Sequence, residues 1–213
     1  MTNSSETYIT RDKQCKHWFA RRDALTISGD AQLWRTAFDE YFRARLVDRY
    51  LNPIKTLQDH GHWQGEGFSI AAIQCSLVEF LESTVQGKNY RYVRKGDPPL
   101  TSVEYSKSGE IFTNFLRERV PFKAIFGSDP ALAEDFYASV RCGLLHEACT
   151  KNGWLIHAGT SPAAMVDASK RILYRDKFQE ALLQFVAWYE QALPCDPTLQ
   201  EAFVRKFNAL CPT

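Results

Sequence analysis

The sequence predicts an all-α fold, a bundle of helices with long loops and one candidate short hairpin. Apolar residues recur every four positions in at least four segments, which is the spacing of an amphipathic helix. Hydrophobic residues make up 45% of the 213 residues and charged residues 24%, a profile typical of a folded globular protein. No linker divides the chain, so we expect a single domain over residues 1–213.

Charge and cysteine content restrict the class of protein. The chain has 26 Lys and Arg against 25 Asp and Glu, so any contact with nucleic acid must come from local patches. The six cysteines form no CxxC pair, which predicts free thiols in a reducing compartment. No signal segment is evident, and no apolar run approaches the length of a membrane span. We therefore expect a cytoplasmic protein with no membrane contact.

Residues 1–28 are predicted to be a basic N-terminal extension. The basic residues that surround Trp18 are Arg11, Lys13, Lys16, Arg21 and Arg22. One interpretation is an arm that holds a phosphate backbone and stacks Trp18 on a base. The other, which is more common for a run of charges, is a solvated face.

Two helices are predicted in the first half of the chain. From Leu33 to Tyr50 the apolar positions are Trp34, Phe38, Phe42 and Leu46, and Pro53 is expected to kink or end this helix. The segment Phe68 to Val85 is apolar nearly all round, which predicts a central, buried helix. Glu79 and Glu82 are the exceptions on that helix, and together with Gln74 they could face the groove where Arg141 lies. Glu79 is the candidate to orient Arg141, but a solvated carboxylate on the helix surface is the preferred interpretation. Between the two helices, residues 60–67 predict a flexible loop rather than a metal site.

Residues 87–109 contain three glycines and two prolines and predict a long loop. Within it, basic and aromatic residues alternate at Tyr90, Arg91, Tyr92, Arg94 and Lys95. Basic side chains hold a nucleic-acid backbone and aromatic rings stack on exposed bases, so this pattern is typical of a grip on single-stranded RNA. A charged surface strand or hairpin arm fits the same residues.

The second half of the chain predicts four helices and one extended stretch. A short helix over residues 110–119 is followed by a helix that Asp129 caps, that Pro130 starts and that ends at His146. Its inward stripe is Leu132, Phe136, Val140 and Leu144. Residues 154–157 are expected to be extended. Helices over residues 174–193 and from Leu199 to Leu210 complete the chain.

Near the end of the second of these helices, Arg141 and His146 are separated by four residues. At 100° per residue the two side chains lie about 140° apart, on the edge of one face. Arginine offers a fixed fork of donors to a phosphate, and histidine is the side chain that exchanges protons near neutral pH. The pair in this helical setting resembles the motif of the HEPN superfamily, all-helical proteins of which many are ribonucleases.

The resemblance implies a metal-independent RNA endonuclease without a cofactor, in which Arg141 and His146 are catalytic. It implies a homodimer whose two motif helices form one composite cleft, and roles in defence or as a toxin restrained by a protein inhibitor or antitoxin. The sequence departs from the family pattern at two positions. Cys142 stands where active members usually have a polar residue, and Ala148 where some members have a tyrosine that a partner modifies.

Two alternatives stand beside the ribonuclease hypothesis. A non-catalytic helical module would bind RNA, a nucleotide or a protein partner through the same groove, and Cys142 favours that interpretation. A metal site would use ligands spaced along one helical face, with a fourth from the following stretch. Those ligands would be Cys142, His146, Cys149 and His157. Buried single cysteines are commonly inert, so the metal site is the weakest of the three hypotheses.

Overall fold

The computed structural model describes residues 7–62, 65–159 and 164–211. Helix accounts for 62% of the residues that the structure describes and the strands are short, which confirms the predicted mostly helical class. The first helices are α1 (Cys15–Asp23), α2 (Ala31–Ala37), α3 (Ala44–Leu46), α4 (Asn52–His60) and α5 (Glu66–Val85). The later helices are α6 (Ser108–Glu118), α7 (Lys123–Phe126), α8 (Pro130–Phe136), α9 (Cys142–Glu147), α10 (Arg175–Ala192) and α11 (Pro197–Ala209). The strands are β1 (Asn89–Tyr90), β2 (Glu104–Tyr105), β3 (Leu155–His157), β4 (Val166–Asp167) and β5 (Ile172–Tyr174).

Helices α2, α3 and α4 follow one another without a break, because π-helical segments join them at Phe38–Arg43 and Val47–Leu51. Pro53 was expected to kink or end this helix, but α4 continues to His60. The backbone N–H of Asn52 donates to the carbonyl of Val47, five residues earlier. The π turn thus supplies the hydrogen bond directly before the proline, which has no N–H to donate.

The described chain forms two compact units. Unit 1 comprises residues 7–52, 83–106 and 188–211. Its core contains many aromatic side chains, and their ring pairs include Phe203–Phe207 at 4.5 Å, Phe38–Phe42 at 5.0 Å and Trp18–Tyr41 at 5.2 Å between centroids. Offset and edge-to-face pairs of this kind add to the free energy of burial. The predicted stripe Trp34, Phe38, Phe42 and Leu46 is completely buried here.

The interpretation of the N-terminal segment as an arm that stacks Trp18 on a base does not fit the residues that the structure describes. Trp18 has no exposed surface, and its indole N–H donates to the Asn208 side chain at 2.9 Å. A ring in this position cannot stack on a base. Arg21 and Lys13 pair with Glu40 at 3.0 Å and 3.5 Å. This segment is therefore part of the unit 1 fold.

Unit 2 comprises residues 53–82 and 107–187 without the undescribed positions. Helix α5 was predicted to be central, and its residues in this unit include the fully buried Ile70, Ala71, Val78 and Leu81. A window of α5 is also long and apolar enough to cross a membrane, contrary to the expectation that no run approaches that length. Since 61% of this window is buried inside the protein, it has the character of a core helix as well.

The extended stretch predicted at residues 154–157 forms strand β3 in a three-stranded sheet of order β3-β5-β4. Strand β3 is parallel to β5, with His157 opposite Tyr174, and β4 is antiparallel to β5. Strands β4 and β5 form a short hairpin at residues for which the sequence predicted none, and β3 is not an arm of it because β3 is parallel to β5. Its turn is closed by Asp167, whose carboxylate accepts hydrogen bonds from Ser169 Oγ and the Lys170 N–H.

Candidate functional site

The helix that bears Arg141 and His146 begins as predicted. The Asp129 carboxylate accepts hydrogen bonds from the N–H groups of Ala131 and Leu132, and Pro130 occupies the first helical position. Helix α8 continues through a π-helical segment, Tyr137–Arg141, into α9. On the predicted inward stripe, Phe136 and Val140 are fully buried and Leu144 nearly so. We call the continuous helix from Pro130 to Glu147 the motif helix.

Arg141 is held by a carboxylate from α5. Its Nη2 atom lies 3.2 Å from Glu79 Oε2, and the side chains of Arg141 and Glu79 are 18% and 19% exposed. The predicted pairing of these two residues is thus present in the structure. Glu82 is the other carboxylate of α5 that could face this groove. In the structure it accepts hydrogen bonds from Arg119 through both carboxylate oxygens, at 2.8 Å and 3.0 Å.

The π segment places Tyr137 beside Arg141. The guanidinium carbon lies 5.5 Å from the centre of the Tyr137 ring, a cation–π distance. Burial tends to lower the pKa of Arg141, but Tyr137, Glu79 and Cys142 outweigh it and raise the pKa. Burial raises the pKa of Tyr137, with a further rise from its hydrogen bond to Cys142, against lowering by Ser108. Arg141 therefore remains a fixed positive charge.

A small cavity of about 130 Å³ opens beside this arginine. Its lining residues are Ala72, Cys75, Ser76, Glu79, Arg141 and Leu145. Burial raises the pKa of Cys75 to about 12, so the thiol on the cavity wall is neutral at physiological pH. The guanidinium and the carboxylate are thus the charged groups among the lining residues.

His146 is exposed on the next turn of the motif helix and is not among the residues that line this cavity. Within residues 7–62, 65–159 and 164–211, nothing forms a hydrogen bond or an ion pair with its ring. The structure therefore brings Arg141 and Glu79 together and leaves His146 open to solvent. Along the helix axis, the five residues from Arg141 to His146 span about 7.5 Å.

A tight reversal ends the motif helix. Ala148 adopts a left-handed conformation with φ 54°, and the chain then folds back over Gly143. A Cβ atom on Gly143 would lie 2.5 Å from the Cys149 carbonyl oxygen, so no larger residue fits there without a shift of the backbone. The backbone N–H of Lys151 donates to the Ser139 carbonyl at 2.8 Å.

Asp135 fixes the returning chain to the motif helix. Its carboxylate accepts hydrogen bonds from Ser139 Oγ at 2.7 Å and from Trp154 Nε1 at 2.9 Å. Asn152 Nδ2 donates to Ser139 Oγ at 2.9 Å, which closes the network. Burial would raise the pKa of Asp135, but these hydrogen bonds and the charge of Arg171 lower it overall. Asp135 is therefore ionised at neutral pH and determines where the His146 end of the helix is anchored.

No protein-family model matches this sequence, and no curated protein or solved structure is significantly similar to it. The resemblance to HEPN proteins thus rests on Arg141, His146 and the helix that holds them.

The basic and aromatic loop predicted to bind substrate belongs to unit 1. Strands β1 and β2 pair there in parallel, and the rings of Tyr90 and Tyr105 meet edge to face at 5.7 Å. Arg91 maintains the loop, because it pairs with Glu104 at 2.8 Å and donates to two proline carbonyls. Of the five predicted contact residues, Arg91 is half-buried and the other four, Tyr90, Tyr92, Arg94 and Lys95, are exposed.

The geometry does not support the metal hypothesis. The motif helix ends at Glu147, so Cys149 leaves the face on which Cys142 and His146 were expected to align with it. In the part of the chain that the structure describes, no three His, Cys, Asp or Glu side chains converge as metal ligands. Of the glycine-rich segment before α5, His60 belongs to α4, and Trp63 and Gln64 lie outside the described residues.

Sequence reasoning missed Tyr137 and Cys75, which lie beside Arg141, and Ser108, which contacts Tyr137. Ser108, at the start of α6, lies 3.0 Å from the Tyr137 hydroxyl. Tyr137 stands four residues before Arg141, a spacing at which helical side chains contact each other, so the sequence did contain a signal for it. The contributions of α5 and α6 depend on helix packing, which no local pattern encodes.

Proposed function

We propose that this protein is a metal-independent RNA endonuclease of HEPN type, with Arg141 and His146 as its catalytic residues. One observation supports this function above the others. Arg141 is a charged, oriented guanidinium at the rim of a cavity, and an exposed histidine follows on the same rigid helix. Glu79 is the positioning residue, because its carboxylate fixes the guanidinium before a substrate arrives.

In the proposed reaction the ribose 2′-hydroxyl attacks the adjacent phosphorus atom and the bond to the 5′-oxygen breaks. One His146 ring removes the proton of the attacking hydroxyl or protonates the leaving oxygen. Arg141 stabilises the negative charge that develops on the phosphoryl oxygens. The products are a 2′,3′-cyclic phosphate and a free 5′-hydroxyl.

The reaction needs a second proton-transfer group, and we propose that a second copy of the chain supplies it in a homodimer. The surface beside Arg141 fits a self-contact, because Leu145 is 61% exposed and Phe68 is 43% exposed. Ala72 and Ser76 are exposed on the α5 face that bears Glu79, so this surface has little charge. We refer to Phe68, Ala72, Ser76 and Leu145 as the α5 patch.

The substrate we propose is single-stranded RNA. Tyr92, Arg94 and Lys95 are exposed, and they offer one ring for stacking and two cations for phosphates. The Tyr90 ring contacts the Tyr105 ring, and Arg91 forms an ion pair with Glu104. These two residues are therefore weaker candidates for RNA contact. A toxin or defence nuclease is the role that such an activity fits, and a protein inhibitor would be its partner.

The test is cleavage of single-stranded RNA in excess chelator. Wild-type protein should leave cyclic phosphate ends, since the proposed chemistry uses no metal. His146→Ala should lose roughly 10²- to 10⁴-fold in rate, and Arg141→Ala roughly 10²- to 10³-fold. His157→Ala, another exposed histidine of unit 2, should retain full activity and serves as the matched control.

Cleavage that requires magnesium, or that persists in His146→Ala, would contradict the proposal. The second candidate, a non-catalytic binding module, is favoured by two observations. Arg141 is already paired with Glu79, and His146 does not line the Arg141 cavity. This candidate predicts an inactive wild type that binds RNA or a nucleotide and loses binding in Arg141→Ala.

A further inference from the structure

A second cavity of unit 2, about 500 Å³ in volume, lies beside the first turns of α10. The residues that matter for its chemistry are Gln58, Arg175, Asp176, Gln179, Glu180 and Leu183. Its volume is in the range of small-molecule sites, which is about 300–1,000 Å³. The Arg141 cavity has other lining residues, so the two cavities are distinct.

Arg175 is the unusual residue of this cavity. Its side chain is only 9% exposed, yet its buried Nε atom has no hydrogen-bond acceptor among the described residues. The nearest carboxylate oxygens belong to Glu66 at 3.6 Å and Asp176 at 3.7 Å, which balance the charge without hydrogen-bond contact. A buried arginine with unused donors costs free energy that a ligand with acceptor atoms would recover.

The other polar groups of the cavity are partly used. Asp176 accepts from Gln58 Nε2 at 2.8 Å and from the Gly159 N–H at 2.6 Å. The side-chain oxygen of Gln179, Oε1, accepts a hydrogen bond from Gln74 Nε2 at 3.1 Å. The side-chain N–H groups of Gln179 have no acceptor among the described residues. Glu180 uses Oε2 for Lys177 at 2.7 Å, which leaves Oε1 to accept another donor. The cavity thus offers unused donors at Arg175 and Gln179 and an unused acceptor at Glu180.

This arrangement selects the chemistry of a ligand. A phosphate or carboxylate ligand would meet Asp176 and Glu180 as well as Arg175, so the cavity repels anions. A simple cation would leave the guanidinium donors unused. The complementary ligand is neutral and planar, with two neighbouring acceptors for the arginine fork and neighbouring donors for a carboxylate.

We propose that this cavity binds a guanine base. Guanine presents the acceptors O6 and N7 to an arginine fork, and its N1–H and exocyclic amine donate to a carboxylate, here Glu180. Leu183 is 43% exposed and provides an apolar wall for the ring. The base comes either from a free guanine nucleoside or nucleotide or from a nucleotide unstacked from single-stranded RNA. Binding is independent of the ribonuclease proposal, because it requires no cleavage.

The experiment is calorimetric titration of the full chain with guanosine, inosine and adenosine. Wild-type protein should bind guanosine roughly 10- to 100-fold more tightly than adenosine. Inosine, which lacks the exocyclic amine, should lie between them. Glu180→Gln should abolish most of the preference for guanosine over inosine, and its side chain is 45% exposed, so the variant should fold. Glu134→Gln, an exposed glutamate on α8, is the matched control and should bind as wild type.

The source of the base is resolved by two arms of the experiment. Tight binding of free guanosine assigns a nucleoside site, whereas guanine-dependent binding of a short single-stranded RNA with weak guanosine binding assigns an RNA base. Equal affinity for guanosine and adenosine in both arms overturns the proposal, and so does an unchanged preference in Glu180→Gln. Arg175→Gln should lose binding while its circular dichroism spectrum stays that of wild type. If that variant unfolds, Glu180→Gln decides. The same titrations can be made with His146→Ala, in which the proposed cleavage is removed. Base binding is therefore tested separately from ribonuclease activity.

Discussion

Arg141 illustrates how the neighbours of one residue fix the position of its side chain. The guanidinium has a carboxylate 3.2 Å away on one side and a phenol ring 5.5 Å away on the other, and these contacts restrict its rotamers. An arginine that is ordered before binding loses little entropy when it meets a phosphate. Glu79 would then contribute to the rate of catalysis by orienting Arg141.

Thiol reactivity at the cavity wall gives a prediction at this scale. Since burial raises the pKa of Cys75 to about 12, only about one molecule in 10⁴ carries the thiolate at pH 8. Cys149 and Cys195 are exposed, and they should react first with a thiol reagent such as 5,5′-dithiobis(2-nitrobenzoic acid). Cys75 should react only above pH 10 or on unfolding, as followed by peptide mass spectrometry. Rapid modification of Cys75 at pH 8 would mean that the cavity wall opens.

At the residue level, the sequence offered the Arg141–Glu79 pair as one of two interpretations, for a physical reason. A carboxylate on an otherwise apolar helix must face either solvent or a cation, and both Glu79 and Glu82 did face a cation. Which cation each glutamate binds depends on the angle between packed helices. The sequence alone therefore did not indicate which of the two glutamates pairs with Arg141 and which with Arg119.

At the scale of elements, the motif helix and the chain that returns over it behave as one structure. Asp135, Ser139 and Trp154 connect the two through hydrogen bonds, and Gly143 permits the close backbone approach. The cap at Asp129 and the inward stripe were readable from the sequence because they are local patterns. The network was not readable, since its members are up to 19 residues apart and share no spacing rule.

The Asp135 carboxylate gives a prediction for acid stability. Its pKa in the folded state is lowered below that of an unfolded aspartate, about 3.9. Its contribution to the unfolding free energy is therefore complete above about pH 4 and is lost as the pH falls through the folded pKa. Asp135→Asn should lower the unfolding free energy by about 1–3 kcal/mol at pH 7. The deficit should shrink as the pH falls through the folded pKa of Asp135, because the protonated wild-type side chain resembles asparagine.

Urea denaturation at a series of pH values measures this deficit. Glu134→Gln, one residue earlier on the exposed side of α8, should show no deficit at any pH. A constant deficit for Asp135→Asn between pH 7 and pH 2 would mean that the residue stabilises the fold through shape rather than through its charge.

At the scale of the whole molecule, the central question is whether two copies assemble through the α5 patch. Leu145 lies between Arg141 and His146 in sequence and is 61% exposed, so a contact there would bring a second motif helix next to the first. Light scattering at micromolar concentration should give twice the 24.4 kDa chain mass. Leu145→Glu should reduce the mass to that of one chain and reduce RNA cleavage in parallel.

Ile27→Glu is the control for this prediction, because Ile27 is an exposed apolar residue of unit 1, outside the α5 patch. A wild type that remains monomeric at these concentrations would contradict both the dimer and the composite cleft. A dimer that persists in Leu145→Glu would place the interface elsewhere.

At this scale the sequence predicted the mostly helical class of the fold. Four-residue periodicity identifies helices because it reports which face of each is buried, and most of the predicted helices are present. The absence of a linker led to the expectation of one domain over residues 1–213, and this stays a prediction beside the two compact units. Each unit is made of segments that are far apart in the sequence. The periodicity of neighbouring residues does not show which distant segments pack together.

The π-helical segment at Tyr137–Arg141 affects how relatives of this chain should be recognised. A π turn contains one more residue than an α turn, so it corresponds to a single-residue insertion within a helix. The inserted residue lies between the Asp129 cap and Arg141. The four residues between Arg141 and His146 come after it, so their number does not depend on the insertion. Homologues without the insertion would keep the arginine–histidine spacing but have the pair one residue closer to the helix start. Alignments that allow a gap at this position should therefore detect relatives that ungapped helix comparison overlooks.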